Sequence, residues 1–523
     1  MVLHRRRTAL ATKIAAIVAT TLLAACTTLG PDYEEPEVEW LQHWQSDLYG
    51  QAGQAQHDEV DLRFWWRTFN DPILNGLIDT ARRENPSLRI AGLRILEARA
   101  ALGIAGSTRY PQLQQIGAGA TYVDRREKDG SSGDRDVDYT AYRASLDVVW
   151  ELDFWGRFQR GIESAQAGFF ASITNQQDVQ VLLAAQVADL YYGYRTTLLR
   201  IDIARNNASI QKRSLEITER LHSSGQESEL DLQQAKALYL GTLAVIPELE
   251  GTAVRLRNAL AALLARKPGD VPELDGIKGP LPTVTPVAIG DVPAKLLMRR
   301  RDVRTAAWTV AAQSAQIGIA QADLYPSISL LGSLSWTSDT LSGSPSVRGF
   351  SVGPALTWNI FDYGRIRNNV RLQDARLQQA IEGFQNSALQ AAREIDDAAV
   401  TVVKTGQQQA PLSGAARAAE RSLSLATTQY QEGYADFERV LDAQRVLFTQ
   451  MERELLNQGA HISAVITLYK AVGGGWVDMT SEQMLSERVR DTMESRTNWG
   501  DLLTAPLPTD PQAPPPERNG GAK

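Results

Sequence analysis

Trp150 to Arg157 reads W-E-L-D-F-W-G-R and Trp358 to Arg365 reads W-N-I-F-D-Y-G-R, so one motif returns after 208 residues. Its Trp, branched aliphatic, aromatic, Gly and Arg stay in step, which marks a duplicated unit. Each copy ends an alternating run and opens a long Gly-poor helical run, so the unit contains a strand-to-helix junction. Downstream, Gly225 matches Gly433 at the same offset, but upstream Tyr110-Pro111 matches Tyr325-Pro326 at 215. The change of 7 falls between paired strands, where a hairpin loop tolerates insertion. The larger upstream offset is read as extra residues in the second copy, or as a difference in how the strands pair.

Composition limits what such a duplicated chain can do. With 523 residues, 43% of them hydrophobic, it can bury a large core. A net charge of -7 argues against a nucleic-acid partner, whose phosphates call for a basic surface. Cys26 is the only cysteine, so no intrachain disulfide or cysteine metal cluster can form. No two of the histidines are spaced to bind a metal from one helix face, and nothing in the sequence calls for a cofactor.

Residues 1–25 read as an export signal: Arg5, Arg6, Arg7 and Lys13 are followed by the mostly apolar run Ile14 to Ala25. Leu23-Ala24-Ala25-Cys26 resembles a bacterial lipobox, which makes Cys26 the lipidated N-terminus of the mature protein. Thr27 stands where an Asp would resemble an inner-membrane retention signal, so the resemblance points to the outer membrane. Residues 26–70 then form an anchor and extended linker.

Phe64-Trp65-Trp66-Arg67-Thr68-Phe69-Asn70-Asp71-Pro72 joins a turn to a helix that Asp71 can cap, with Pro72 in its first turn. Asn85-Pro86 breaks that helix, and Ser87 is expected to cap the next. Together with G-P-D-Y-x-x-P (Gly30 to Pro36) and N-P-S-L-R (Asn85 to Arg89), this run resembles the TolC-like outer-membrane efflux lipoproteins across nearly the whole mature chain.

Four strands are expected, in hairpins 112–154 and 327–361. Tyr142, Ala144, Leu146, Val148, Trp150 and Leu152 alternate with Arg143, Ser145, Asp147, Glu151 and Asp153, the period of a strand. The third strand sets Ile328, Leu330, Leu334 and Trp336 against serines, and the fourth groups Val352, Leu356, Trp358 and Ile360. Strand one fits either register, because Gly117 and Gly119 offer no side chain to decide it. Helical runs 158–221 and 366–430 would each reach about 96 Å at about 1.5 Å per residue. Leu183, Val187, Leu190 and Tyr194, and likewise Leu377, Ile381, Phe384, Ala388, Ala391 and Ile395, step as a coiled-coil seam. Pro247 and Pro411 should kink their helices without ending them.

The fold class is therefore mainly α with a membrane β-barrel. Residues 71–290 form the first repeat, with helix pair 158–264, and residues 291–476 the second, with helix pair 366–472. Residues 477–523 form an equatorial segment and a tail that reads as disordered from Pro506. Four strands cannot close a barrel in lipid, so the chain must oligomerise. The resemblance implies a homotrimer with a twelve-stranded barrel, continued by a periplasmic helical tunnel. It also implies a periplasmic membrane-fusion adaptor and an inner-membrane RND transporter as partners.

The turns Leu221 to Glu229 and Tyr430 to Asp436 are the helix tips, each with a Gly suited to positive φ. By resemblance, Gly225, Gly433, Tyr434 and Asp436 face the adaptor, and Asp442 matches an aspartate of the family's constriction. Arg439 stands where some relatives carry a second acid. Asp231 corresponds to Arg439 at the 208 offset, so an ion pair between them is expected at the gate. The implied function is a passive outer-membrane conduit of a tripartite efflux system, with the outlet of a type I protein secretion system as the alternative. An exported hydrolase is disfavoured because no His and acidic residues are spaced as metal ligands. Intact mass should show acyl chains on Cys26 that Cys26→Ala lacks; an unmodified N-terminus preceding residue 26 would end that reading.

Overall fold

A computed structural model describes residues 27–43, 49, 61–127, 135–284, 297, 299–340 and 347–508. Cys26 and the tail 509–523 lie outside these. The elements follow the repeat. Helices α1 (Pro72–Glu84) and α2 (Pro86–Ser107) lead to strands β1 (Leu113–Glu127) and β2 (Arg135–Leu152), then α3 (Arg157–Ser223) and α4 (Glu229–Leu263). The second pass gives α5 (Arg301–Ala322), β3 (Ser327–Ser338), β4 (Val347–Thr357), α6 (Arg365–Gln431) and α7 (Phe437–Ala471). Both ends of α3 and α6 differ by 208, as do those of α4 and α7, while α2 and α5 differ by 215.

The offset change therefore lies in the hairpins, and it corrects the sequence reading. Tyr110 to Trp150 spans 40 positions and Tyr325 to Trp358 only 33, so the extra residues belong to the first copy. Its strands are accordingly longer, at 15 and 18 residues against 12 and 11. The fourth strand also stops at Thr357, short of Trp358 and Ile360. Trp358 instead donates its indole N–H to the Leu324 carbonyl at 3.0 Å.

Two compact units cut across the repeats. One takes 96–171 and 306–384 with the chain up to Pro36, and so holds both hairpins; the other takes 37–95, 172–305 and 385–523.

In the hairpin unit the sheet order is β1-β2-β3-β4, all antiparallel. Opposite residues share a face, so the ladder Ile116↔Leu146↔Leu334↔Phe350 is one apolar row. The neighbouring row Gln115↔Asp147↔Ser333↔Ser351 is wholly polar and turns the other way. This settles the register of β1: Ile116, Ala118 and Tyr122 join the apolar face. Ile116 and Phe350 are 81% and 77% exposed, so that face is bare in a single chain. On the polar face Asp147 accepts from Ser145 at 2.9 Å and from Ser333 at 2.7 Å.

The same unit fixes the N-terminal segment. Arg160 donates to the carbonyls of Leu29 at 2.9 Å and Gly30 at 3.1 Å and pairs with Asp32 at 2.7 Å. A Cβ on Gly318 would collide with the Leu29 carbonyl, which is why glycine faces that strap.

The second unit is built on the aromatic run before α1. Trp65, Trp66 and Phe69 are buried, and Trp65 stacks on Tyr469 with centroids 5.2 Å apart. Asp71 caps α1 through the N–H groups of Ile73 and Leu74, then accepts from Tyr191 at 2.8 Å and Arg195 at 3.0 Å. One carboxylate thus ties α1 to α3. Asn85, not Ser87, caps α2: its Oδ1 accepts the Leu88 N–H at 3.1 Å because Pro86 occupies the first helical position. The seam residues Phe384, Ala388, Ala391 and Ile395 are fully buried, and α4 and α6 run through Pro247 and Pro411.

Arg placed on the apolar face should cost roughly 2 to 4 kcal/mol if that face meets lipid near the midplane. Leu146→Arg should therefore reduce the yield of assembled, heat-resistant oligomer, and Ser145→Arg should not. Equal losses would show that the faces are assigned wrongly.

Candidate functional site

The helix tips are two copies of one turn. Gly225 and Gly433 hold φ of +77° and +80°. Each closes a helix by the same pair of bonds: Gln226 N–H to Leu221 O and Gly225 N–H to His222 O, both 2.9 Å, and Tyr434 N–H to Gln429 O at 2.8 Å with Gly433 N–H to Tyr430 O at 3.0 Å. This is the Schellman closure, in which a left-handed residue turns the chain out of the helix. Ser228 then caps α4 and Asp436 stands at the cap of α7, again 208 apart.

Side chains that differ between the copies join the tips to each other. The Tyr430 hydroxyl donates to Glu227 Oε1 at 2.7 Å, and a His222 ring nitrogen sits 3.1 Å from the Glu227 carbonyl. Burial and the adjacent Glu227 carboxylate push the Tyr430 phenol upward, so it remains a donor. Its ring packs on buried Phe437 at 5.2 Å, beside Leu215, Ala235, Val440 and Leu441. Motif reading missed Tyr430 and Glu227 because neither is repeated; the signal available was that Tyr430 replaces His222 at an otherwise matched position.

The residues expected at a gate fall in this region. Asp442 is exposed on α7 and lies 3.6 Å from Arg445, an exposed pair worth about 0 to 1 kcal/mol. Arg439 and Asp436 are exposed, and Tyr434 is 80% exposed at the end of its turn. Asp231 and Arg439 form no ion pair within the described residues of one chain. Asp231 is instead taken by the Ser228 hydroxyl at 2.5 Å, since the third residue of a helix lies beside its cap.

The glycines of K-A-V-G-G-G-W (Lys470 to Trp476) serve packing. A Cβ on Gly474 would stand 3.1 Å from Trp65, and Gly475, at φ +108°, faces the same indole. Arg82 reaches the Gly475 carbonyl at 2.5 Å with its guanidinium over Trp66. Among the described residues no cluster of His, Cys, Asp or Glu is placed to hold a metal, and no helix is long and apolar enough to cross a membrane.

At the strand bases, Trp155 stacks on Tyr325 at 4.7 Å and donates to the Pro326 carbonyl at 2.8 Å. Tyr110, Tyr325, Trp358 and Phe361 are exposed nearby in sequence. Exposed aromatics at strand ends suit a polar–apolar boundary.

Comparison with known proteins agrees with this architecture. The family model described as outer membrane efflux protein matches residues 77–266 and 292–474. The chain is 29% identical over 476 residues to the probable outer membrane lipoprotein SilC of Salmonella typhimurium, covering 89% of this chain and 99% of that protein. It is 30% identical over 460 residues to the toluene efflux pump outer membrane protein TtgI of Pseudomonas putida, covering 87% and 96%. Among solved structures, the outer-membrane channel OprN is similar with a TM-score of 0.76 at 31% identity, covering 86% of this chain and 99% of that one.

Tyr430→Phe keeps the ring on Phe437 but removes the bond to Glu227, a loss of about 1 kcal/mol. Amides of 224–228 should then exchange faster with solvent. Unchanged exchange would show that this bond does not hold the turns together.

Proposed function

The chain belongs to the outer membrane efflux protein family, and from that premise we propose that it is the outer-membrane channel of a tripartite, RND-type efflux system. The observation that carries the reading is a four-stranded antiparallel sheet with one bare apolar face and two edge strands, β1 and β4, that pair with no further strand among the described residues. Open edges are untenable in hydrocarbon. Because the strand number is even, β4 of one copy can meet β1 of the next antiparallel, and a ring of copies closes without a mismatched seam. A homotrimer gives twelve strands, enough for a water-filled lumen lined by the polar face.

In this reading the chain is a passive conduit in the outer membrane, anchored through Cys26, with its long helices in the periplasm. An inner-membrane transporter supplies energy and an adaptor meets the tips at Gly225, Gly433, Tyr434 and Asp436. The efflux family model and the toluene efflux pump protein TtgI support efflux over protein secretion, and a conduit needs no catalytic group.

Asp442 of each copy is assigned to the periplasmic constriction, where clustered carboxylates would focus a negative potential and favour cations. Arg445, 3.6 Å from Asp442, and Arg439, one helical turn before it, temper that field. In planar bilayers Asp442→Asn should lower the cation-to-anion permeability ratio of the assembled channel. An unchanged ratio would place the constriction elsewhere.

A further inference from the structure

The β1–β2 ladder begins at Leu113↔Val149, so Trp150 to Leu152 run on past the start of β1 while still paired to β3. Where β2 outruns β1 there is a pocket of about 240 Å³, lined among others by Arg109, Trp150, Glu151, Asp153, Phe158 and Gln159. Its chemistry is mixed in a particular way. Arg109 is exposed, donates to Gln159 Oε1 at 3.0 Å, and has no carboxylate partner among the described residues. Asp153 accepts the Gln159 N–H through Oδ2 at 2.8 Å, leaving Oδ1 without a donor there. Trp150 belongs to the apolar face of the sheet.

The second repeat is an internal control. At the matched positions it has Leu324 for Arg109 and Phe361 for Asp153, but keeps Trp358 for Trp150. There the indole is spent on the Leu324 carbonyl, a bond with no counterpart at Trp150. The aromatic is common to both copies, and the second keeps a junction carboxylate one position along, Asp362, which accepts the Gly364 and Ile366 N–H groups. The arginine is confined to the first, so Arg109 is not part of what the strand-to-helix junction requires.

The level of the pocket is set by its neighbours. Leu29 N–H bonds the Trp155 carbonyl at 3.1 Å, and Thr28 packs against Gly156. Cys26 is three residues earlier, within about 10 Å of extended chain. An acylated Cys26 therefore brings the headgroup layer of the periplasm-facing leaflet to the turn that the pocket residues bracket.

We propose that this pocket binds the headgroup of a zwitterionic phospholipid with a primary amine, Arg109 holding the phosphate and Asp153 the ammonium. The inference rests on the outer-membrane channel reading. Arg suits phosphate because its planar fork presents several donors at once. The ammonium gains a charge-assisted bond to the free carboxylate oxygen, and the acyl chains leave along the face that carries Trp150. A purely anionic lipid would leave Asp153 without a cation, Glu151 being already paired with Arg157 at 3.6 Å, and a trimethylated amine would lack N–H donors.

The test uses the intact, delipidated oligomer and native mass spectrometry with phosphatidylethanolamine, phosphatidylglycerol and phosphatidylcholine of the same acyl length. Phosphatidylethanolamine should bind preferentially, and Arg109→Gln and Asp153→Asn should each weaken it roughly tenfold, the loss of one charge-assisted contact. Equal retention of phosphatidylglycerol, or adducts indifferent to both variants, would overturn the proposal. Soluble phosphoethanolamine competing as well as the lipid would overturn it too, as the mark of a solute site. Bilayer conductance of the same preparations separates the two readings: specific adducts on a protein that forms no pore would support the pocket and count against the channel.

Discussion

A sheet edge carries a row of unpaired N–H and C=O groups, and hydrocarbon supplies nothing to pair them with. Every larger feature of this protein follows from meeting that constraint with only four strands. On the proposed channel reading the chain cannot close a barrel alone, and copies of itself would match its edges, antiparallel at each seam. Duplication supplies this directly. Two hairpins give an even strand number, both feet of each hairpin pass into helices, and the helices leave together on one side of the sheet.

The polar network around Asp71 answers a similar demand inside the helical unit. A carboxylate this buried is tolerable only with its acceptor sites filled, and two backbone N–H groups, a phenol and a guanidinium fill them. The W-W-R-x-F-x-D-P run is thus two devices in sequence: indoles that pack against Tyr469 and the triple glycine, and an aspartate that starts a helix while fastening it to another. Both were visible as residue types. Their partners were not, because Tyr191, Arg195 and Tyr469 are far away in the chain and belong to helices whose heptad pattern gives no hint of a polar role.

Legibility in the sequence followed the length of the periodic signal. The helix pairs, the face assignment of β2 and β3 and the positive-φ turns at Gly225 and Gly433 could all be read, since period and turn chemistry are local. Strand one could not be placed from its own glycine-rich residues, and its partner Leu146 decides it through the ladder to Ile116. The end of strand four was overrun because Trp358 keeps the alternating period while its indole already serves the junction. The two offsets alone place the extra residues in the first hairpin, not the second, and the longer β1 and β2 carry them. The expected pairing of Asp231 with Arg439 is not among the contacts of the described residues in one chain, where the Ser228 hydroxyl three residues away donates to Asp231.

The comparison of the two repeats separates what the architecture needs from what the protein does with it. Positions held in both copies, such as Gly225 with Gly433 and Trp150 with Trp358, sit where backbone geometry or the strand-to-helix turn leaves little choice. Positions that differ are free of that duty. Tyr430 with Glu227 joins one tip to the other, and Arg109 places a guanidinium at one strand base and not at its twin. A duplicated scaffold satisfies its backbone twice in the same way, so a side chain that breaks the repeat while making a directed polar contact is carrying something the fold alone does not ask for.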